Sequence, residues 1–126
     1  MKFKRRPDSP LKKKARRGFR GYPVATVAYY GPDDQRASKV AVGIAAEENG
    51  DTMMKRLFTE GDARTDPVIT AEILRLIATQ GVKSVALTDG IIGCPHEEGV
   101  DYPEGQVCPQ CPFWAYRERF TGKILY

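Results

Sequence analysis

Cys94, His96, Cys108 and Cys111 are all three cysteines of the chain and its only histidine, and they fall within the eighteen residues 94–111. Thiolates and imidazole are the ligands of soft and borderline metal ions, and a set of four suits tetrahedral zinc. An odd cysteine count with a histidine interleaved fits metal binding better than disulfide pairing. Cys108-Pro109-Gln110-Cys111 is the more specific half. Two residues between the cysteines let one tight turn bring both sulfurs to one ion, and Pro109 presets the φ of that turn. In Cys94-Pro95-His96 a single residue intervenes. An extended chain would point the two side chains apart, so this segment must bend at Pro95. Gly93 and Gly99 flank it and ease the bend.

The Cys-Pro-x-Cys run, with Pro112 after it, resembles the knuckles of zinc ribbons over those few residues. The resemblance implies a structural zinc that ties the loop and the C-terminal piece to the rest of the fold. Four protein ligands close the coordination shell, whereas catalytic zinc keeps a position open. Such a site contributes on the order of 10 kcal/mol to folding. A second reading is a zinc hydrolase or deaminase. His96-Glu97-Glu98 fits the H-x-E pattern of zinc deaminases, and Cys108 and Cys111 fit their cysteine pair. Glu97 or Glu98 would then move protons, and Asp89, just before Gly90, is a third candidate carboxylate. Against this, only eleven residues separate His96 from Cys108, Val107 stands where that family has proline, and Cys94 would fill the open position. A third reading is redox chemistry at Cys108. It needs a helix starting at the cysteine pair to lower the thiol pKa, and Pro112 disfavours helical geometry at Cys111.

Charge divides the chain. Residues 1–21 carry ten Lys or Arg against one acid, a charge of +9, while the remainder carries ten against fifteen, a charge of −5. Residues 1–21 read as a disordered basic arm, dense in like charge and poor in apolar side chains. Lys4, Arg5, Arg6, Lys12, Lys13, Lys14, Arg16 and Arg17 form its two basic clusters. Set against phosphates they would bind nucleic acid, RNA or DNA, without sequence preference and with strong salt dependence. An acidic protein is the alternative partner. No apolar run approaches a membrane span or a secretory signal, so no membrane partner and a cytoplasmic location are expected.

The elements that must position the loop can be read in outline. Residues 22–126 are expected to form one α+β domain, with the zinc loop at 93–112. Val24–Tyr30 is β-branched, aromatic and apolar on both faces, which predicts a central strand. Gly31-Pro32-Asp33-Asp34 is turn chemistry, and Lys39–Ala45 predicts an antiparallel partner. The small residues Ala41, Gly43 and Ala45 share a face on which a helix could lie close. Met53, Met54, Leu57 and Phe58 predict a short helix over Thr52–Glu60 behind an Asp51 cap. Asp66-Pro67 opens a second helix, with Ile69, Ile73, Leu76 and Ile77 inward and Gly81 ending it. Val82–Thr88 predicts a third strand, parallel to a neighbour after the helical crossover. The fold class is therefore α+β: a small mixed sheet of three or four strands with an N-terminal hairpin, two helices and a zinc-binding loop near the C-terminus. Lys123–Tyr126 could add an edge strand. Trp114 is expected in the core beneath the metal loop, and Tyr116 is left open between core and base stacking.

Overall fold

The structure, a computed structural model, describes residues 9–115 and leaves out the side chain of Asp89. The Lys4-Arg5-Arg6 cluster, Tyr116 and the Lys123–Tyr126 strand lie outside the described residues. In chain order the elements are α1 (Pro10–Arg16), β1 (Val24–Tyr30), β2 (Lys39–Ala45), β3 (Thr52–Phe58), α2 (Pro67–Thr79) and β4 (Ser84–Ile91). The strands form one mixed sheet in the order β3-β2-β1-β4. The α+β class and the mixed sheet are as expected from the sequence.

β1 and β2 pair antiparallel in unbroken register from Val24↔Ala45 to Tyr30↔Lys39. β4 lies parallel to β1 on its other side. Residues paired across a sheet share a face, so Ala25, Val27 and Tyr29 stand beside Val40, Val42 and Ile44. Helix α2 buries Ile69, Ile73 and Ile77 in the same cluster with these residues. Asp66 caps α2 by accepting from the backbone N–H of Val68 and Ile69, and Pro67 occupies its first turn. The helix thus covers the valine and isoleucine face of β2, which offers more apolar area than the small-residue face proposed for it. On the opposite face, a Cβ at Gly43 would meet Thr26 Oγ1 at 2.9 Å and Met54 Sδ at 3.0 Å.

Two segments differ from the sequence expectation. Thr52–Phe58 is a strand, not a helix. Every one of its residues pairs with β2, from Thr52↔Ala45 to Phe58↔Lys39. The Asn49-Gly50 turn reverses the chain, and a helix here would leave the outer backbone groups of β2 without a partner. The second correction concerns the basic arm. Residues 10–16 form helix α1 instead of a disordered segment. Ser9 caps it, accepting from the Lys12 N–H at 3.2 Å, and Pro10 starts its first turn. Leu11 is 1% exposed, Ala15 follows one turn later, and both pack on the common core against β4. Lys12, Lys13, Arg16 and Arg17 are exposed, and Lys14 is half-buried.

The third strand is longer than read. Its register on β1 shifts between Val27↔Leu87 and Tyr29↔Ile91, so Thr88, Asp89 and Gly90 form an irregularity inside β4. Thr88 Oγ1 accepts from the Tyr29 N–H and donates to the Gly90 carbonyl. Asp89 therefore sits in a strand, and the metal loop leaves from Ile91. Among the described residues, no helix is long and apolar enough to cross a membrane.

Candidate metal centre

The loop is tied down at both ends by one residue. Gly31, just past β1, donates its N–H to the Gly93 carbonyl at 2.9 Å, directly before Cys94. Its own carbonyl accepts from Trp114 Nε1 at 2.8 Å, three residues after Cys111. No side chain fits at this joint, because a Cβ on Gly31 would lie 1.9 Å from the Arg36 carbonyl oxygen. Trp114 is half-buried and packs against the core, as its sequence position suggested.

Between those ties Cys94, His96, Cys108 and Cys111 come together. One donor atom from each lies within 4.8 Å of the other three, and the group could hold a metal ion. The His96 Nδ1 atom is 3.2 Å from Cys94 Sγ and 3.5 Å from both Cys108 Sγ and Cys111 Sγ. At metal–sulfur and metal–nitrogen bonds of about 2.3 and 2.0 Å, a tetrahedron has edges of this size. The Cys94-Pro95-His96 segment does bend, and the His96 N–H reaches back to Cys94 Sγ at 3.2 Å. Cys108 and Cys111 are 8% and 2% exposed, and Cys94 is half-buried. Burial, reinforced by the sulfur of Cys111 beside it, pushes the Cys94 thiol far above its ordinary pKa. Burial and the charge of Cys108 push the Cys111 thiol up as well. The Cys94 and Cys111 sulfurs are thus hard to ionise side by side, and a cation held by the cluster would stabilise them as thiolates.

The acids of the loop are mostly consumed within it. Glu97 accepts from Lys39 Nζ at 3.0 Å and from Arg56 Nε. Lys39, then Arg56, hold its carboxyl below the usual range. Asp101 accepts from the Glu97 N–H at 2.7 Å, and Glu98 accepts from the Gly105 N–H at 3.1 Å. Gly99 and Gly105 take φ of 81° and 82°, which turn the chain between these bonds. Glu97, Glu98 and Asp101 therefore shape and anchor the loop. Among the described residues no α-helix begins at Cys108 or Cys111; a single 3₁₀ turn, Pro112–Trp114, follows the pair.

Sequence reasoning found all four clustered residues but missed Lys39, Arg56 and Gly31. Lys39 is only 4% exposed, and its ammonium also donates to the Pro95 carbonyl at 2.9 Å. It thus grips the residues on either side of His96. Its one signal in sequence was a charge at the head of an otherwise apolar strand, facing the loop side of the sheet.

The loop and the sheet enclose a cleft of about 990 Å³. Arg36, Lys39, Arg56 and Phe58 line its sheet side, and His96 and Val100 its loop side. Comparison with protein-family models, curated proteins and solved structures finds no match.

Proposed function

We propose that this chain is a zinc-stabilised accessory module that binds nucleic acid through its basic N-terminal segment. Zinc is favoured by the donor set: three sulfurs and an imidazole nitrogen at tetrahedral spacing suit zinc better than the oxygen-seeking cations. The role is structural, because four protein donors complete a tetrahedron and the carboxylates nearest to them are engaged in anchoring the loop.

The observation that supports polyanion binding is the outward face of α1. Lys12, Lys13, Arg16 and Arg17 are exposed on a helix held in place by buried Leu11. Arg20, just after α1, and Lys83, just before β4, are exposed as well. A charge array on a fixed helix loses less entropy on meeting phosphates than a disordered arm does. Each neutralised phosphate releases counterions, so affinity should fall steeply with salt.

Two measurements test this reading. Metal analysis of the purified protein should return one zinc per chain, and Cys94→Ala should lose most of it. Full zinc retention with an unchanged melting temperature in Cys94→Ala would leave the site open to water and favour catalysis. For the arm, replacing Lys12, Lys13, Arg16 and Arg17 with Gln should weaken binding to mixed-sequence DNA and RNA and flatten its salt dependence. An unaltered salt slope would remove the nucleic-acid reading.

A further inference from the structure

We infer that the slot between the end of α1 and the start of β4 seats an unpaired base of a single-stranded nucleic acid. The inference names the substrate class of the α1 surface and rests on the nucleic-acid reading above. Gly18 follows α1 with a φ of 71°, which turns the chain out of the helix. Phe19, next in the chain, is 70% exposed, and between Ser9 and Pro23 it is the one large hydrophobic side chain open to solvent. Tyr22 meets its ring edge-to-face, with centroids 5.5 Å apart and planes at 74°, and holds it in place. Beside the ring runs a slot of about 380 Å³, within the range of about 300–1,000 Å³ of small-ligand sites. Ala15, Gly18 and Phe19 line it from the end of α1, and Val24 and residues 84–87 line it from the strands. None of these carries a charge. The one polar side chain, Ser84, is already engaged, accepting from the Arg20 N–H at 2.7 Å and donating to the Gly21 carbonyl at 2.7 Å. The slot therefore suits a flat, uncharged group and reads no hydrogen-bond pattern on it.

The segments that build the slot are purely cationic. Residues 9–23 carry six Lys or Arg and no acid, and residues 80–87 carry Lys83 and no acid. Arg17 and Arg20 bracket Gly18 and Phe19 in the chain, Lys83 directly precedes Ser84, and all three are exposed. The Ser84 bonds hold the Arg20–Gly21 segment against β4, and Lys83 Cδ lies 3.7 Å from where a Cβ on Gly21 would stand. Among the described residues none of the three forms an ion pair, and neither do exposed Lys12 and Lys13 on α1. A single strand alternates a flat aromatic base with an anionic phosphate, and an apolar slot beside a ring, bordered by unpaired cations, matches that alternation. In a duplex the bases are stacked inward, so the ring would go unused and only the phosphate contacts would remain. An anionic bilayer would meet the same cations, yet anchoring needs an apolar helix face, and α1 turns Leu11 into the core. An extended peptide needs a run of free strand backbone. The Arg20–Gly21 segment meets β4 at Ser84 and the strand is irregular from Thr88 to Gly90, which leaves only Val85, Ala86 and Leu87.

The test is fluorescence anisotropy on the full chain, with a labelled mixed-sequence single strand and the matching duplex. Phe19→Ala should weaken single-strand binding on the order of tenfold, the loss of one stacked base. It should leave duplex affinity and both salt slopes unchanged, since no charge is removed. Phe19→Leu keeps an apolar side chain against Tyr22 without a π face and should bind the single strand as weakly as Phe19→Ala. Phe19→Trp should bind it at least as well as the parent. The ring's exposure leaves the fold intact in all three, which a melting curve checks. Parent-like single-strand affinity in Phe19→Ala or Phe19→Leu would overturn the inference, as would equal losses for single strand and duplex. Loss of binding to phosphatidylserine vesicles, with single-strand binding unchanged, would overturn it in favour of a lipid site. A parent chain that binds neither probe would remove the nucleic-acid reading and the slot with it. Salt-dependent binding of both probes, equal in Phe19→Ala and parent, would remove the slot and keep the arm.

Discussion

Replacing Lys39 with methionine should cost the protein its metal before it costs the fold. The Lys39 ammonium makes two hydrogen bonds, to the Pro95 carbonyl at 2.9 Å and to Glu97 Oε1 at 3.0 Å, and these residues flank the ligand His96. Methionine preserves most of the side-chain volume against Tyr30 and Phe58, which the ammonium overlies at 5.6 and 5.7 Å. Hydrogen bonds to charged groups are each worth about 1.5–3 kcal/mol. Glu97 keeps Arg56 as a partner, and its side chain is 30% exposed, so the substitution strands no buried charge. The net loss of loop docking should then be about 2–3 kcal/mol, nearer the value of one bond than of two. If His96 can join the metal only from the docked loop, the loss falls on metal affinity, roughly 30- to 150-fold. Competition against a chromogenic zinc chelator at neutral pH measures it, and the cobalt-substituted spectrum reports whether four-coordinate geometry survives. Lys39→Arg should recover part of the affinity. A dissociation constant within about threefold of the parent would refute the reasoning. So would a metal-free variant that melts as far below the metal-free parent as the loaded forms differ, because Lys39 would then serve the sheet and not the loop.

Gly31→Ala places a Cβ 1.9 Å from a backbone oxygen and breaks the joint that carries both ends of the loop; soluble yield should collapse, and normal expression with full metal content would contradict the joint. Asp62 accepts from Arg64 Nη2 at 2.7 Å, and this bond, the largest cause, holds its carboxyl below the usual range. Its contribution is present above the unfolded pKa of about 3.9 and is lost as pH falls through the lower folded value. Asp62→Asn should therefore flatten the acid limb of stability below about pH 4, and urea titrations giving parallel acid limbs would exclude it. Ile73→Ala empties a fully buried site where α2 meets the sheet and should destabilise by about 2–5 kcal/mol in the same titrations, whereas a loss under 1 kcal/mol would mean that the helix is not seated there. Stripping the metal should unprotect the His96 amide, which bonds Cys94 Sγ, while the Asp101 amide stays protected by its 2.7 Å bond to the Glu97 carbonyl. Hydrogen exchange losing both equally would show that the acidic turn depends on the ion.

What could be read from sequence was whatever is local. β1, β2 and α2 followed from β-branched runs, the Asp66-Pro67 cap and isoleucines at helical spacing, each a property of adjacent residues. The ligands were legible by type alone. β3 was not, because Met53, Met54, Leu57 and Phe58 satisfy a short helical pattern as well as an edge strand. The choice was made by the open edge of β2, which no window around residue 55 contains. α1 was hidden by charge: ten cations drew attention from a Ser9-Pro10 start and a Leu11/Ala15 pair that together specify one helical face. Lys39 and Arg56 meet Glu97 across 58 and 41 residues of sequence, and pairing over such distances is set by strand register.

Those long-range pairs bear on where function should be sought. An acid beside a metal ligand suggests a proton carrier until its partners are known. Glu97 is held ionised between a buried ammonium and a guanidinium, a poor state for a group that must gain and lose protons near neutral pH. Glu98 and Asp101 accept backbone N–H groups within the loop, and four protein donors suffice for the ion. The reactive groups of the loop are thus largely spent on holding its shape. Phe58 and Val100 stay exposed along its edge, beside the arginines Arg36 and Arg56 and the acids Glu60 and Asp101. A loop that spends its carboxylates on its own shape leaves the Cys94, His96, Cys108 and Cys111 cluster as the group in it that could hold a metal ion.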